Sequence, residues 1–263
     1  EHSPELHQHR HFGEVGEPAL SIAYSIISVD DSRKRLKDVT HRRLREYGLK
    51  ELTGIEFVDG RDQVELSMAV LESGYRVTGE RFHNGELGLW FSTINALEVI
   101  SHGEYEHVIV LEDDAVVEPS FETLLPWVMR ELPEDYDFFA WALPENQKQD
   151  YFYDRTFNET GGWYLNSQYL LDYHKTPWYI EGNQIVCRAY QGYRNVAIMY
   201  SPKGAANILA LLKEKGMYTP TDLLMFQESH MGNLNGYTFY PDVAPAIDHE
   251  ETGTIVRASG MWN

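Results

Sequence analysis

Three features are scarce in this sequence, and each scarcity excludes a class of protein. Cysteine comes first: the 263 residues include only Cys187, which excludes a fold held together by intramolecular disulfides. Long apolar runs come second, because the run at 108–111 meets acids far short of the roughly 18 residues that a membrane-spanning helix needs. We therefore expect no transmembrane segment and a cytoplasmic protein, and we interpret Cys187 as a packing residue.

Positive charge is the third scarce feature. The chain has 22 Lys and Arg residues against 41 Asp and Glu residues, which gives a formal net charge of −19. A field of this sign repels polyanions, so nucleic acid is not an expected partner. An anionic nucleotide can bind only where the charge is locally reversed, either by a cation held between acids or by a few basic side chains.

The length and composition favour one folded domain. With 43% hydrophobic residues, the chain can bury a substantial core. The segment 1–20 carries four histidines and little apolar content, so we interpret it as a flexible tail with exposed histidines. Residues 21–263 are expected to form the domain.

Apolar spacing predicts an alternation of strands and helices. The predicted strands are 21–29, 54–58, 107–111, 136–142 and 196–200, and the predicted helices are 32–47, 85–100, 120–132 and 202–215. Such an alternation indicates an α/β fold with a mixed, mostly parallel sheet flanked by helices.

The alternation fails between residues 143 and 193, where Tyr and Trp are frequent. A structureless connection of this length is uncommon, so we expect either a functional flap or a small additional sheet. The aromatic residues at 151–179 suit the faces of sugar rings in an acceptor. Packing in a core or an interface explains them equally well.

Three consecutive acids, Glu112, Asp113 and Asp114, directly follow the apolar strand at 107–111. Open α/β sheets bind ligands outside the carboxyl ends of their strands. A hard divalent cation such as Mg²⁺ or Mn²⁺ relieves the repulsion between such carboxylates and can bridge a diphosphate at the same time. The alternative is an acidic surface turn with no ligand.

The segment 109–116, Ile-Val-Leu-Glu-Asp-Asp-Ala-Val, resembles the strand and Glu-Asp-Asp motif of glycosyltransferase family 25. This family includes bacterial lipooligosaccharide galactosyltransferases and collagen hydroxylysine galactosyltransferases. Further segments resemble family motifs in the same order along about 23–222, and they lie at 26–35, 58–60, 85–92, 197–205 and 220–222.

The resemblance implies a GT-A-like fold and an inverting, metal-dependent transfer of a hexose. The donor would be a nucleotide-sugar, foremost a UDP-hexose, and the acceptor a hydroxyl of a glycan or a protein. The cofactor would be Mn²⁺ or Mg²⁺. Two other functions stay open: another nucleotide-dependent transferase such as a nucleotidyltransferase, and a non-catalytic carbohydrate-binding protein on a degenerate transferase fold.

The resemblance also implies roles for the acids and for a histidine. Asp114 is expected to ligate the metal directly, and Glu112 to be a second ligand or a partner of the donor ribose. Asp113 is expected to support the nucleotide site. His249 is the histidine that chain order favours for completing the metal site, with His230 a weaker candidate, whereas an exposed or packed histidine is the alternative.

Asp222, in a Pro-Thr-Asp segment like that of the family, is the expected general base for the acceptor hydroxyl. The alternative is that it caps the helix expected to begin there.

The remaining candidates are expected near the nucleotide. Arg33 and Arg35 follow the first strand and are expected to meet the base or the phosphates of the donor; surface arginines are the alternative. Gly85, Glu86 and Gly88 are expected to let the backbone approach the nucleotide.

Overall fold

The computed structural model describes residues 21–79, 82–141, 154–157, 163–166, 180–189, 196–239 and 246–249. The helices in these ranges are α1 Lys34–Glu46, α2 Gln63–Glu72, α3 Asn84–Ser101, α4 Ser120–Glu131, α5 Pro202–Lys215 and α6 Thr221–His230. The strands are β1 Ile22–Ile27, β2 Lys50–Glu51, β3 His107–Glu112, β4 Ala115–Val117, β5 Phe138–Ala140, β6 Asp154–Phe157, β7 Trp163–Asn166, β8 Val186–Arg188, β9 Ala197–Tyr200, β10 Gly236–Phe239 and β11 Ile247–His249. Among the described helices, none combines the length and the apolar character needed to cross a membrane.

A seven-stranded sheet forms the centre of the fold, in the order β2-β1-β3-β9-β5-β10-β8. The strands β2, β1, β3, β5 and β10 run in one direction, and β9 and β8 run in the other. The predicted α/β class with a mixed, mostly parallel sheet is therefore confirmed. Two smaller sheets pair β4 with β11 and β6 with β7.

The sheet separates two apolar cores, and β3 contributes to both because successive side chains on a strand point to opposite faces. Val108 and Val110 belong to the first core, which also contains buried residues of α3, α5 and α6. Ile109 and Leu111 belong to the second core, with buried residues of α1, α4 and β4. Continuous burial on both faces explains why β3 was predictable as an unbroken apolar run.

The predicted second strand at 54–58 is wrong. The strand that pairs with β1 on its outer side is β2, and the backbone at 52–59 belongs to no strand. Gly54 has a φ of 84°, in the left-handed region, and the amide of Val58 donates to the hydroxyl of Ser92 at 2.8 Å rather than to a neighbouring strand. The β-rich composition there reflects an extended segment that packs against α3.

Two of the segments that resemble the family, 58–60 and 85–92, pack directly against each other. A Cβ added at Gly88 would lie 2.6 Å from the amide nitrogen of Gly60. A Cβ added at Gly60 would lie 2.1 Å from the carbonyl oxygen of Asn84. Since neither distance leaves room for a side chain, both glycines are needed for the turn to rest on the start of α3.

The segment 197–205 also has a packing explanation. The hydroxyl of Ser201 accepts from the amide of Gly204 at 2.9 Å and donates to the carbonyl of Tyr136 at 2.7 Å. A Cβ at Gly204 would lie 2.0 Å from the carbonyl oxygen of Asp137. The serine therefore caps α5, while the glycine lets that helix approach the chain just before β5.

The stretch that was predicted to be irregular contains the antiparallel pair β6 and β7, which is a small sheet. The aromatic side chains that were predicted to face a sugar lie outside the described residues, as does the predicted tail at 1–20. Strand β5 precedes this stretch and strand β9 follows it, and β5 ends at the edge of the central sheet where β9 begins. The chain leaves β5 there, and it enters β9 there because β9 runs in the opposite direction.

A buried carboxylate joins the ends of α5 and α6. Glu228 is fully enclosed, and its oxygens accept from the ammonium of Lys215 at 2.6 Å, from the amide of Asn233 at 2.7 Å and from the hydroxyl of Tyr218. Burial would raise the pKa of Glu228, but these hydrogen bonds outweigh it and lower the pKa below its ordinary value near 4.5. The ionised form therefore stabilises the fold.

We expect Glu228→Gln to destabilise the protein by about 1–3 kcal/mol at pH 7, because Lys215 then faces a neutral amide and one of the two buried acceptor oxygens is replaced by a donor. A lowered folded pKa gives stability that is present above the unfolded value near 4.5 and is lost as the pH falls through the folded pKa. Urea unfolding of both proteins at pH 7 and pH 3.5 checks this, and the difference should shrink at the lower pH. A difference that does not change with pH would show that the charge of Glu228 does not stabilise the fold.

Candidate functional site

The acids are located where two parallel strands end side by side. β1 and β3 pair in parallel, with Ile27 opposite Glu112, so their carboxyl ends meet at one edge of the sheet. The amide of Glu112 donates to the carbonyl of Val196 at 2.9 Å, which fixes the last residue of β3 from its other side. Asp113 and Asp114 form the turn into β4. We call this region the acidic edge, defined by residues 112–114.

Glu112 is half-buried and continues the side of β3 that faces the first core. Burial, followed by the charges of Asp114, Asp222 and Asp113, raises the pKa of Glu112 to about 8, and Arg33 opposes this rise. Asp222, in the first turn of α6, thus contributes to the raised pKa of Glu112. Two candidate site residues, Glu112 and Asp222, therefore interact electrostatically although they lie more than a hundred residues apart in the chain.

Arg33 neutralises part of this negative charge. One guanidinium nitrogen lies 2.6 Å from a carboxylate oxygen of Asp113 and 3.2 Å from one of Asp114. The Asp114 side chain is 6% exposed and that of Arg33 is 23% exposed, so the ion pair is only partly open to water. Burial would lower the pKa of Arg33, but the hydrogen bond to Asp113 and the charges of Asp114 and Glu112 raise it.

Helix α1 is fixed against β4, and this contact brings Arg33 to the acids. The buried hydroxyl of Thr40 donates to the carbonyl of Ala115 at 2.7 Å, and the guanidinium of Arg43 donates to the carbonyl of Val117. Because β4 begins directly after Asp114, these bonds set the distance from the N-terminus of α1 to the acidic edge. Arg33 is the residue that immediately precedes α1.

Asp222 occupies the first turn of α6, where free backbone amides favour a carboxylate. One of its oxygens accepts from the amide of Leu223 at 2.8 Å. The residue before the helix is Pro220 at the cap position, which offers no side-chain cap, so Asp222 contributes to the helix start from inside it. The contact is compatible with both predicted roles, that of a general base and that of a helix-stabilising acid.

The backbone of His249 lies beside the acidic edge. β11 pairs antiparallel with β4 so that His249 is opposite Ala115, the residue that follows Asp114. The side chain of His249 is outside the described part of the structure. His230 is exposed at the last residue of α6, roughly 12 Å along the helix from Asp222 at 1.5 Å per residue, and its role as a weaker metal-ligand candidate stays a prediction.

The donor set at the acidic edge suits a hard divalent cation. Glu112, Asp113 and Asp114 are consecutive in the chain; the charge of Asp222 also raises the pKa of Glu112, whereas the charge of Arg33 lowers it. Carboxylate oxygens are the preferred protein ligands of Mg²⁺ and suit Mn²⁺ as well. Within the described ranges, no group of three or more His, Cys, Asp or Glu side chains is already arranged as around a metal ion.

No described contact joins the other predicted nucleotide residues, Arg35, Gly85, Glu86 and Gly88, to the acids at 112–114. Arg35 is exposed on the outer face of α1, on a different side from Arg33. Glu86 accepts from the backbone amide of His83 at 2.8 Å and so stabilises the start of α3. The space where a Cβ of Gly88 would lie is occupied by the turn at Gly60, whereas the corresponding space at Gly85 has no atom within 4 Å. A nucleotide contact at these residues stays a prediction.

Sequence reasoning missed Arg61, which links two turns near the acidic edge. Its guanidinium binds Asp59 in a bidentate contact, with one bond of 2.7 Å, and also lies 2.7 Å from Asp30, just after β1. These contacts lower the pKa of Asp59 and contribute to lowering the pKa of Asp30. The signal was present in the order Asp59, Gly60, Arg61, because a glycine turn can fold an arginine back onto the acid before it.

Cys187 takes no part in the site. Its thiol is buried in β8 and donates to the carbonyl of Phe239 at 3.3 Å. Burial raises the pKa of the thiol, so it stays protonated and packs as a small apolar side chain.

Comparison of the chain with protein-family models gives no match, and comparison with curated proteins finds no significant relative.

The raised pKa of Glu112 predicts a stability change with pH. A raised folded pKa gives stability that is present below the unfolded value near 4.5 and is lost as the pH rises toward about 8. Glu112→Gln cannot ionise, so we expect the melting temperature of the variant relative to wild type to increase from pH 5 to pH 8 in the presence of EDTA. Differential scanning calorimetry measures this difference.

Glu104→Gln serves as the control, since Glu104 is an exposed acid in the turn before β3. The control should show no such trend with pH. If the two variants behave alike, burial and the neighbouring acids do not raise the pKa of Glu112.

Proposed function

We propose that the protein is a metal-dependent inverting glycosyltransferase with a GT-A-like fold, which transfers a hexose from a nucleotide-sugar, foremost a UDP-hexose, to a hydroxyl of a glycan or a protein. The observation that carries the proposal is the convergence of the acids at 112–114 with Asp222 and Arg33 at the carboxyl ends of β1 and β3. This is the edge of an α/β sheet at which ligands bind.

The proposed metal ligands are Asp114 and Glu112, with His249 as the candidate that the pairing of β11 and β4 supports. Asp113 supports the nucleotide side of the site. A bound Mn²⁺ or Mg²⁺ supplies positive charge to the diphosphate that leaves the sugar. The acids at this edge would repel a diphosphate, and such a cation would offset that repulsion.

Asp222 is the proposed base. As the acceptor hydroxyl approaches the anomeric carbon, its proton passes to the carboxylate of Asp222, and the oxygen forms the new glycosidic bond. The bond from the anomeric carbon to the diphosphate breaks, and its electron pair remains on the diphosphate oxygen. The position of Asp222 supports this role because the group that takes the proton must face the same edge as the group that holds the diphosphate.

The acceptor is proposed to bind near the chain between β5 and β9. That stretch departs from and returns to the edge of the sheet that carries the acids, since β5 ends there and β9 begins there. Its sequence is rich in aromatic residues, which stack well on the apolar faces of sugar rings.

Donor binding should depend on Asp114. In the presence of Mn²⁺, we expect UDP near a hundred times its dissociation constant to raise the melting temperature of the wild type by roughly 5 to 10 °C, through mass action. Asp114→Asn should remove most of this shift because it takes a charge from the proposed metal site. Asp38→Asn, on the exposed face of α1, is the matched control and should keep the shift.

An unchanged UDP shift in Asp114→Asn, or a shift that EDTA does not reduce, would contradict the metal site. The same protein samples should then be incubated with UDP-hexoses. UDP binding without release of hexose to water or to an acceptor favours the nucleotidyltransferase alternative.

The role of Asp222 can be separated from its effect on α6. Asp222→Asn keeps an oxygen that can accept from Leu223, so the helix start should persist while the base is lost. We expect transfer to fall by roughly 10²- to 10⁴-fold, with UDP affinity and melting temperature nearly unchanged. Initial rates of UDP release with a competent acceptor measure the loss.

Asp222→Ala provides the comparison, because it removes both the base and the acceptor for the helix amide. This variant should lose about 1 kcal/mol of stability in addition to activity. Near wild-type transfer by Asp222→Asn would exclude Asp222 as the base. Glu228 would be a poor replacement, since its carboxylate is enclosed by Lys215 and Asn233.

A further inference from the structure

We propose that Arg33 is an exchangeable internal cation: it neutralises the acidic edge when no metal is bound, and it moves to the diphosphate of the donor when a divalent cation takes its place. This inference rests on the proposed function of the site. It adds a role for Arg33 that couples the binding of metal to the binding of nucleotide.

The first observation is that Arg33 contacts Asp114, the proposed metal ligand, as well as Asp113. Its guanidinium contacts one oxygen of Asp113 at 2.6 Å and one of Asp114 at 3.2 Å. A divalent cation bound by Asp114 requires close contact with its carboxylate, at about 2.0–2.2 Å for a small ion such as Mg²⁺. Two positive groups held this close to one carboxylate repel each other, so a cation bound by Asp114 disfavours the contact between Asp114 and Arg33.

The second observation is that the side chain of Arg33 is partly exposed, while α1 is held against β4 by other residues. Its side chain keeps 23% of its surface exposed, so water already reaches part of the group. The helix is held further along by the bonds from Thr40 and Arg43 to the backbone of β4. A change in the side-chain rotamers of Arg33 is therefore sufficient, and the displaced guanidinium stays at the same edge of the sheet.

The third observation concerns the alternatives for binding a diphosphate. Arg61 is held by contacts with Asp59 and Asp30, so its guanidinium is already satisfied by two carboxylates. Arg35 is exposed on the outer face of α1. Among the described residues, Arg33 is the basic side chain that contacts the acidic edge, and a planar guanidinium matches the geometry of phosphate oxygens.

Such an exchange makes metal and nucleotide cooperate. Arg33 opposes the binding of the metal alone, because the ion pair must first be broken. The diphosphate then accepts the released guanidinium, so the nucleotide compensates for the broken ion pair. By linkage, each ligand increases the affinity of the protein for the other, and removal of Arg33 should weaken this coupling.

The test is isothermal titration calorimetry on the whole chain. MnCl₂ is titrated into wild type and Arg33→Gln without nucleotide, and UDP is titrated into both at saturating Mn²⁺. We expect Arg33→Gln to bind Mn²⁺ alone roughly fivefold or more tightly, since a competing charge is removed, and to bind UDP about tenfold more weakly, since a phosphate contact is lost. Arg42→Gln, which removes an exposed charge from the same helix, should change both affinities less than twofold.

The opposite changes in the two affinities identify the exchange. If Arg33→Gln causes a general loss of structure, the binding of both Mn²⁺ and UDP weakens. If the ion pair is purely structural, the affinity for UDP does not change. Either result overturns the inference. In both cases wild-type binding of Mn²⁺ and UDP still supports the proposed function. If the wild type binds neither ligand, the proposed function and the inference both fail.

Discussion

Repulsion between carboxylates at the end of β3 is the constraint on which the arrangement of the site depends. The strand is paired on both sides, by β1 and by β9, so the backbone that carries the acids cannot move them apart. Water relieves the repulsion only in part, because Asp114 is almost completely buried. The fold offsets this charge from another element, through Arg33 at the start of α1, and the position of α1 is in turn fixed by β4.

The two cores have different consequences for the site. The second core anchors α1 and β4, which bring Arg33 to the acids, whereas the first core packs α3, α5 and α6 under the other face of the sheet and brings Asp222 toward Glu112. The close contacts at Gly60, Gly88 and Gly204 lie on the side of the first core, where they involve α3 and α5. Residues that resemble family motifs thus serve the packing that aligns the site as well as any ligand contact.

Helices and strands with a local sequence signal could be predicted from the sequence. β3 follows from an unbroken apolar run, and α5 from a serine cap, a proline in the first turn and a glycine at the end, so its predicted bounds match the structure. The acids after β3 were likewise located by the end of a buried strand.

Contacts between distant parts of the chain were not predictable from local patterns. The short strand β2 carries only exposed residues, so no apolar alternation marks it, whereas the extended segment at 54–58 has a β-rich composition and pairs with nothing. The separation of Arg33 from Arg35 depends on where α1 begins and on which side of it packs against β4. The approach of Asp222 to Glu112 depends on the packing of α6 against the sheet, which no spacing within either segment reports.

The double pairing of β3 also has a kinetic consequence. Amide protons in a strand with hydrogen bonds on both sides exchange with solvent only through large openings, so β3 is expected among the last parts of the chain to open. The short peripheral pair of β4 and β11, which borders Asp114 on its other side, has far fewer bonds to break. The acids therefore stand where a long strand that is paired on both sides gives way to a short pair, and the amides of β3 are expected to exchange more slowly than those of β11.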